Sequence, residues 1–258
     1  MRVLVTGASG LLGLIGTAFS RVSGGLLKVD LTKNAEVRQL FEEHRPQVVI
    51  HCAAERRPDV VAQHPDGALT LNVDATSQLA RCCKEYHAFL VYISTDYVFD
   101  GTSPPYDVDA TPNPLNLYGK LKLRGEEALR AVGGNAVTLR VPVLYGDVEY
   151  PEESAVNILQ KNVDNPDKPV NMDHVAIRYP TNVVDVARVC RDIAVLGVDK
   201  QQTLPPILHF SASEPMTKYD MCVDRPLNSA LSVTGLTQLG IDAGHVPFRA
   251  WWRKHLSV

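Results

Sequence analysis

The stretch MRVLVTGASGLLG, residues 1–13, decides the expected fold of this chain. Its first part, RVLVT, is a short run rich in β-branched residues and predicts a buried strand. Gly7, Gly10 and Gly13 follow with the spacing G-x-x-G-x-x-G, which lets the backbone turn sharply and approach a pyrophosphate without a Cβ clash. Such a loop binds the anion through backbone N–H groups and a helix dipole. The stretch therefore predicts a dinucleotide site after the first strand.

Similar apolar runs recur along the first half of the chain, at residues 47–51, 89–94 and 136–141. Each is preceded by a helix-like segment, at residues 36–44, 72–86 and 118–131. Continuous apolar runs of this length are typical of strands buried on both faces of a parallel sheet. Strands that alternate with helices predict an α/β fold, a doubly wound parallel sheet of the Rossmann type.

The second half has a different character, with more prolines and turn residues. We expect residues 1–146 to form the dinucleotide-binding domain and residues 147–258 to form a small C-terminal lobe. A helix over 183–196 and a strand over 207–210 interleave this lobe with the last Rossmann elements, at about 181–210.

Two places do not suit this fold. The segment after Gly13 is strand-like, although a parallel crossover takes about a dozen residues or more, including a helix. A second abrupt join lies at residues 221–225. We hypothesise that residues are missing from the sequence at both places. An intact mass above the one calculated from 258 residues would confirm this.

The composition excludes several other classes of protein. Lys and Arg number 26 against 29 Asp and Glu, so the net charge is -3 and no nucleic-acid surface is expected. Five cysteines without CxxC spacing are expected to be reduced thiols of a cytoplasmic protein. The chain starts directly in a strand, so no leader is expected, and no apolar run reaches the ~18–20 residues that span a bilayer. The eight His show no metal-binding spacing.

The end of the second strand indicates which dinucleotide binds. We expect that strand to end at Ser20 and Arg21. An Arg there can pair with a ribose 2′-phosphate through charge-assisted, often bidentate, hydrogen bonds. No Asp or Glu occupies the strand end to bind a free 2′-hydroxyl. The pattern favours NADP over NAD, and a solvated surface Arg is the alternative.

Other strand ends complete the expected cofactor site. Asp30 and Leu31 are expected to end the third strand, where a side-chain or backbone contact with adenine is expected. Cys52 and Ala53 follow the next strand, and small residues there let the backbone lie against a dinucleotide. Arg56 is close enough to reach a phosphate. For Cys52, packing is favoured over reactivity.

Thr95, Tyr118 and Lys122 form a candidate catalytic group. Tyr118 and Lys122 have the spacing Y-x-x-x-K, which places them on one face of a helix. The ammonium of Lys122 is expected to lower the tyrosine pKa, so that the phenol can exchange a proton with a carbonyl or alcohol. Thr95, at a strand end, can orient the same substrate oxygen. Tyr118 and Lys122 are also expected to contact the cofactor. The alternative is that both side chains lie on a solvated helix face without a catalytic role.

The motifs at residues 95–101, 117–120 and 139–146 resemble those of the dTDP-4-dehydrorhamnose reductase family. This extended short-chain dehydrogenase/reductase family uses NADPH. The resemblance covers most of the chain.

Further motifs are similar to those of the regulatory β subunits of S-adenosylmethionine synthetase (methionine adenosyltransferase), at residues 52–61, 71–74, 152–156, 171–174 and 216–219. That resemblance implies an NADP-binding protein that joins the catalytic α subunit in a hetero-oligomer and tunes its affinity for methionine. It implies no established reductase substrate. The implied cofactor contacts are Ser9, Gly10, Leu11, Leu12, Phe19, Ser20, Arg21, Asp30, Leu31, Cys52, Arg56, Tyr118 and Leu144.

Two functions therefore stay open. The first is a regulatory subunit of methionine adenosyltransferase that binds NADP, and the second is an NADPH-dependent reductase of a dTDP-4-keto sugar. The charged run Glu55-Arg56-Arg57 could bind the phosphates of a sugar nucleotide or form a solvated face. Trp251 and Trp252 are expected to pack on the core, with a partner-facing anchor as the alternative.

Overall fold

The computed structural model describes most of the chain, at residues 1–7, 16–18, 25–159, 173, 175–217 and 230–256. The seven strands of one large sheet lie in four of these stretches, at residues 1–7, 16–18, 25–159 and 175–217.

The main sheet is parallel throughout and confirms the predicted doubly wound α/β fold. Its strands are β1 (Val3–Thr6), β2 (Gly16–Ala18), β3 (Leu27–Lys28), β4 (Val48–His51), β5 (Phe89–Thr95), β6 (Ala136–Val141) and β10 (Ile207–His209). Their spatial order is β10-β6-β5-β4-β1-β2-β3. The sheet thus reverses its winding direction beside β1, where ligands bind in open α/β sheets.

Helices cover both faces of this sheet. They are α1 (Asn34–His44), α2 (Pro58–Gln63), α3 (Pro65–Leu69), α4 (Ala75–Glu85), α5 (Leu117–Val132), α6 (Val183–Ala194), α7 (Thr234–Gln238) and α8 (Phe248–Leu256). Alternate residues of each strand pack into two separate hydrophobic cores, because successive side chains of a strand point to opposite faces of the sheet. Val49 and Leu90 pack with α1 and α4, whereas Val48 and Val91 pack with α6.

The predicted elements match the observed ones, with differences mainly at their ends. The expected helix over 72–86 is observed as a π-helical turn, Thr70–Asp74, followed by α4. The expected strand over 207–210 pairs with β6 at one edge of the main sheet.

The C-terminal half also forms two small sheets. β7 (Leu144–Tyr145) pairs with β9 (Thr181–Asn182), and β8 (Ile177–Arg178) pairs with β11 (Met216–Thr217). The boundary between the proposed domain and lobe stays a prediction.

Residues 7–15 lie between β1 and the parallel strand β2. Residues 8–15 and the second abrupt join, at 221–225, lie outside the described residues.

Candidate dinucleotide site

Gly7 brings the ends of β1 and β4 into direct contact. Its φ is +73°, in the left-handed region that favours glycine, and a Cβ on it would lie 2.8 Å from the N and Cα atoms of Ala53. The Cys52 N–H donates to the Thr6 carbonyl at 3.1 Å. The predicted residues Gly7, Cys52 and Ala53 therefore meet at the carboxyl edge of the sheet, and only glycine fits at the first of them.

His51 connects the ends of β1 and β4 to helix α4. Its Nδ1 lies 2.6 Å from the Thr6 hydroxyl, and its Nε2 lies 2.9 Å from the Thr76 hydroxyl on α4. Burial lowers the pKa of His51 to about 3, and the charge of Lys122 lowers it further in the same direction. The ring is thus neutral at pH 7 and joins β1, β4 and α4.

Helix α5 begins at the site because Asn116 caps it. The Asn116 Oδ1 accepts from the Gly119 N–H at 2.9 Å, which places Tyr118 in the first turn. Gly119 and Gly125 let the helix lie against the strand end, since a Cβ on them would collide with the Tyr97 carbonyl and the Tyr92 hydroxyl. Asn116, Gly119 and Gly125 therefore position Tyr118 and Lys122, although the sequence analysis did not identify these three residues as part of the site.

The structure places Tyr118 beside Thr95, as predicted, but its acidity differs from the expectation. Burial raises the pKa of the Tyr118 phenol, and the charge of Asp96 raises it too, whereas a hydrogen bond with Thr95 and the charge of Arg56 lower it. We expected Lys122 to make Tyr118 more acidic. The expectation considered only the charge, and burial is the larger effect.

Lys122 is only 3% exposed, and its Nζ lies 3.9 Å from the centre of the Tyr92 ring. Burial lowers its pKa to about 7, while Glu126 and Cys52 act in the opposite direction. A group with this pKa can hold or release a proton near neutrality. Burial raises the pKa of the neighbouring Cys52 thiol to about 12, which supports packing over reactivity.

Sequence reasoning missed a buried ion pair beneath Lys122. Both oxygens of Glu126 accept from Arg140, at 3.0 Å from Nε and 2.7 Å from Nη2, and both side chains are 1% exposed. The Ser94 hydroxyl donates to the same carboxylate at 2.5 Å, and His209 lies 3.3 Å from Arg140. The only signal in the sequence was that Glu126 follows Lys122 by four residues, on the same helix face.

Asp30, Leu31, Leu144 and Arg56 are also among the predicted contacts, and some of them serve local structure too. The Asp30 carboxylate accepts from the backbone N–H and hydroxyl of Thr32, at 3.0 and 2.6 Å, and the hydroxyl contact lowers its pKa most. Leu31 is buried in the core, so only its backbone can face a ligand. Leu144 is half-buried in β7, and Arg56 is exposed.

Part of the predicted cofactor site lies outside the described residues. This part consists of Ser9, Gly10, Leu11, Leu12, Gly13, Phe19, Ser20 and Arg21. Their roles stay predictions.

The C-terminal aromatic pair packs on the core. Trp251 lies edge-on to Tyr145, with ring centres 5.2 Å apart, and Trp252 lies 6.0 Å from Phe248. Both tryptophans are half-buried. Within the described ranges, no three His, Cys, Asp or Glu side chains form a metal-binding group, and no helix has the length and apolarity to cross a membrane.

Comparison with known proteins agrees with this geometry. The profile of the RmlD substrate binding domain family matches residues 1–225. The chain is 43% identical to methionine adenosyltransferase 2 subunit beta of Bos taurus, over 96% of this chain and 85% of the relative. It is 34% identical to a dTDP-4-keto-6-deoxy-D-glucose reductase of Streptomyces niveus, over 85% of this chain and 76% of that enzyme.

Among solved structures, the fold is similar to dTDP-4-dehydrorhamnose reductase from Bacillus anthracis in complex with NADP. The TM-score is 0.83, at 23% identity, over 100% of this chain and 99% of that one.

The alignment with the bovine subunit also bears on the short connections. It runs over 288 positions, whereas 96% of the 258 residues is about 248, so about 40 positions of the relative (288 less 248) have no counterpart in this chain. The hypothesis that residues are missing after Gly13 and at 221–225 stays a prediction. The chain belongs to the RmlD substrate binding domain family, in the group that contains the β subunits of methionine adenosyltransferase 2.

Proposed function

We propose that this chain is a regulatory subunit that binds NADP and associates with the catalytic subunit of methionine adenosyltransferase, tuning the synthesis of S-adenosylmethionine. The observation that carries the proposal is the 42–43% identity, over nearly the whole chain, to proteins named as β subunits of that enzyme. The proposal places the protein in the cytoplasm, where the described cysteines, which are all free, stay reduced.

The carboxyl edge of the sheet supports the cofactor part of the proposal. The close approach of Gly7 to Ala53 leaves backbone, not side chain, along the path of a dinucleotide. Tyr118 and Lys122 present a phenol and an ammonium that can donate to ribose hydroxyls. The similar fold from Bacillus anthracis is named as an NADP complex. The preference for NADP over NAD rests on Arg21, through charge-assisted contact with a 2′-phosphate.

Thr95, Tyr118 and Lys122 favour a second candidate, an NADPH-dependent reductase of a dTDP-4-keto sugar. When bound, the reduced nicotinamide supplies a hydride. In this candidate Tyr118 donates the proton to the keto oxygen, Thr95 orients that oxygen, and Lys122 supplies positive charge close by. The 34% identity to a dTDP-4-keto-6-deoxy-D-glucose reductase points the same way.

Light scattering after size-exclusion chromatography tests the regulatory proposal. The chain is mixed with a methionine adenosyltransferase catalytic subunit, with and without NADP. A mass equal to the sum of both components is expected. Separate elution of the two at concentrations of about 10 μM, with the cofactor present, would contradict it.

Turnover of dTDP-4-keto sugars tests the second candidate. NADPH oxidation by the chain, lost in Tyr118→Phe and kept in the control Tyr86→Phe, would establish a reductase. Tyr86 directly follows α4, before the amino end of β5, and its ring packs beside Phe41. Absence of turnover in the wild-type chain would leave the regulatory role as the better account.

A further inference from the structure

The side-chain nitrogen of Lys122 lies on the face of a buried aromatic ring. Its Nζ is 3.9 Å from the centre of the Tyr92 ring, in the middle of β5, and both side chains are buried. A cation over an aromatic face is attracted by the negative potential of the ring, and the attraction is strongest where water is excluded. The contact therefore favours the charged form of Lys122.

Three contacts hold the Tyr92 ring in this place. The Tyr92 hydroxyl donates to the backbone carbonyl of Lys122 at 3.5 Å. Gly125, on the same helix, leaves room for this hydroxyl, since a Cβ there would collide with it. The His51 ring of β4 packs against the Tyr92 ring, with centres 5.6 Å apart. The ring is therefore tied to the same turn of α5 that carries the lysine.

Several ionisable groups lie around Lys122 at the end of β4 and on α5, and others lie behind them. They are His51, Cys52, Tyr118 and Glu126, with Asp96 and Arg56 near Tyr118 and Arg140 beside Glu126. Burial lowers the pKa of His51 and raises the pKa of Cys52 and of Tyr118, so these three groups are neutral at pH 7. They contribute little to holding a buried ammonium at that pH.

Glu126 favours the Lys122 ammonium, but a close cation offsets its charge. Both of its oxygens accept from the Arg140 guanidinium, and the Ser94 hydroxyl donates to the same carboxylate. Burial lowers the pKa of Lys122 to about 7, so at neutral pH a modest change in one contact alters the charged fraction strongly. The ring of Tyr92 is the contact that lies directly against the nitrogen.

We propose that Tyr92 is a positioning residue, whose ring face holds Lys122 as an ammonium and directs it to the ribose of a bound nicotinamide dinucleotide. The ribose part rests on the proposed cofactor binding, whereas the contact between ring and ammonium does not. Tyr92 is fully buried, so it acts through Lys122. An ammonium donates charge-assisted hydrogen bonds to ribose hydroxyls, and these are stronger than the bonds of a neutral amine.

An NMR titration of Lys122 tests the proposal without any ligand. The chain carries isotope-labelled lysine, and the Lys122 signal is identified by its loss in Lys122→Met. Tyr92 is replaced by phenylalanine, which keeps the ring, or by trifluorophenylalanine, which keeps the shape but withdraws electrons from the ring face. We expect the titration midpoint of Lys122 to be lower by about one pH unit with the fluorinated ring than with phenylalanine, because the cation is attracted less.

Two controls separate the charge distribution of the ring from packing. Trifluorophenylalanine in place of Phe41, which is fully buried in the same hydrophobic core, should leave the Lys122 midpoint unchanged. The signal of Lys120, an exposed lysine on the same helix, should be the same in all variants. Thermal unfolding of each variant shows whether it is folded. The phenylalanine variant lacks only a hydroxyl, so it provides a folded reference for the fluorinated ring.

The pH dependence of NADPH binding extends the test to the ribose. A midpoint lowered from about 7 to about 6 reduces the ammonium fraction at pH 7 from about half to about one tenth. Fluorescence titration at pH 7 is therefore expected to show NADPH binding up to about fivefold weaker with the fluorinated ring than with phenylalanine. At pH 5 both variants should bind nearly equally, because Lys122 is charged in each.

The possible results separate the parts of the proposal. An unchanged Lys122 midpoint with the fluorinated ring would overturn it, whatever the Kd of NADPH. A lowered midpoint with unchanged NADPH binding at pH 7 would overturn the part that directs the ammonium to the ribose. A wild-type chain that binds no NADPH would overturn the ribose part together with the proposed cofactor binding, while the midpoint would still decide whether the ring acts on Lys122.

Discussion

The two sides of the main sheet are built on connections of very different length. Residues 52–88 join β4 to β5 and residues 96–135 join β5 to β6, 37 and 40 residues, whereas nine and eight residues join β1, β2 and β3. The long connections contain the helices α4 and α5, which bury the central strands. The short side ends in β3, whose two residues are exposed. On the long side, α5 carries the candidate residues Tyr118 and Lys122, and β5 ends at the candidate residue Thr95.

The largest expected difference between the two sides lies in amide hydrogen exchange. Amides of β5 are expected to exchange only on global unfolding, which costs about 5–15 kcal/mol in ordinary domains, whereas those of β3 open locally at little cost. We expect exchange in β3 to be faster by at least about three orders of magnitude. Mass spectrometry of peptides that cover residues 25–30 and 89–95 checks this. Rates within tenfold of each other would show that both sides unfold as one unit.

Glu126→Ala probes the buried ion pair on the long side. The variant leaves the Arg140 guanidinium buried without its carboxylate, so a loss of about 3–5 kcal/mol in the free energy of unfolding is expected. Urea denaturation measures it. Glu126→Gln keeps the shape of the side chain, so it should lose less free energy of unfolding than Glu126→Ala.

The matched control is an exposed pair on the surface. Arg38 and Glu85 make two hydrogen bonds of 2.9 Å, with both side chains 47% exposed. Glu85→Ala is expected to lose less than about 1 kcal/mol. Equal losses for Glu85→Ala and Glu126→Ala would contradict the importance of burial.

Gly119→Ala tests the close approach of α5 to the strand end. The added Cβ would collide with the Tyr97 carbonyl, so we expect a loss of about 1–3 kcal/mol in unfolding free energy and weaker nicotinamide binding through a displaced Tyr118. Gly67→Ala on α3 is the control, since a Cβ there meets nothing within 4 Å. It should be neutral or stabilise by up to about 1 kcal/mol, because alanine favours helix. Similar losses in both variants would remove the steric argument.

The pH dependence of stability reports on the buried histidine under the site. Burial lowers the pKa of His51 to about 3, well below its ordinary value of 6.5. The unfolded state therefore binds more protons between these values, and stability falls as the pH falls below about 6.5. His51→Gln should make this fall shallower, by up to about 1.4 kcal/mol per pH unit, in urea denaturation at pH 7, 6 and 5. His209→Gln should act similarly, since burial lowers the pKa of His209 to about 3 as well. Unchanged slopes would show that these rings are protonated at no cost.

Local patterns sufficed to predict the strands, the long helices and the meeting of strand ends. The apolar run at 136–141 became β6 with the same bounds, because a buried parallel strand leaves a continuous apolar signature. The ion pair of Glu126 with Arg140 was not predictable, since no short-range spacing links a helix residue to the next strand. The raised pKa of Tyr118 was missed for a related reason, because its burial depends on tertiary packing.

The most direct test of the central claim is the methionine dependence of S-adenosylmethionine synthesis by a catalytic subunit, measured with increasing amounts of this chain. The account predicts that KM for methionine changes by about threefold or more and saturates at the concentration at which the complex forms by light scattering. An unchanged KM in the presence of a fully formed complex would contradict a regulatory role.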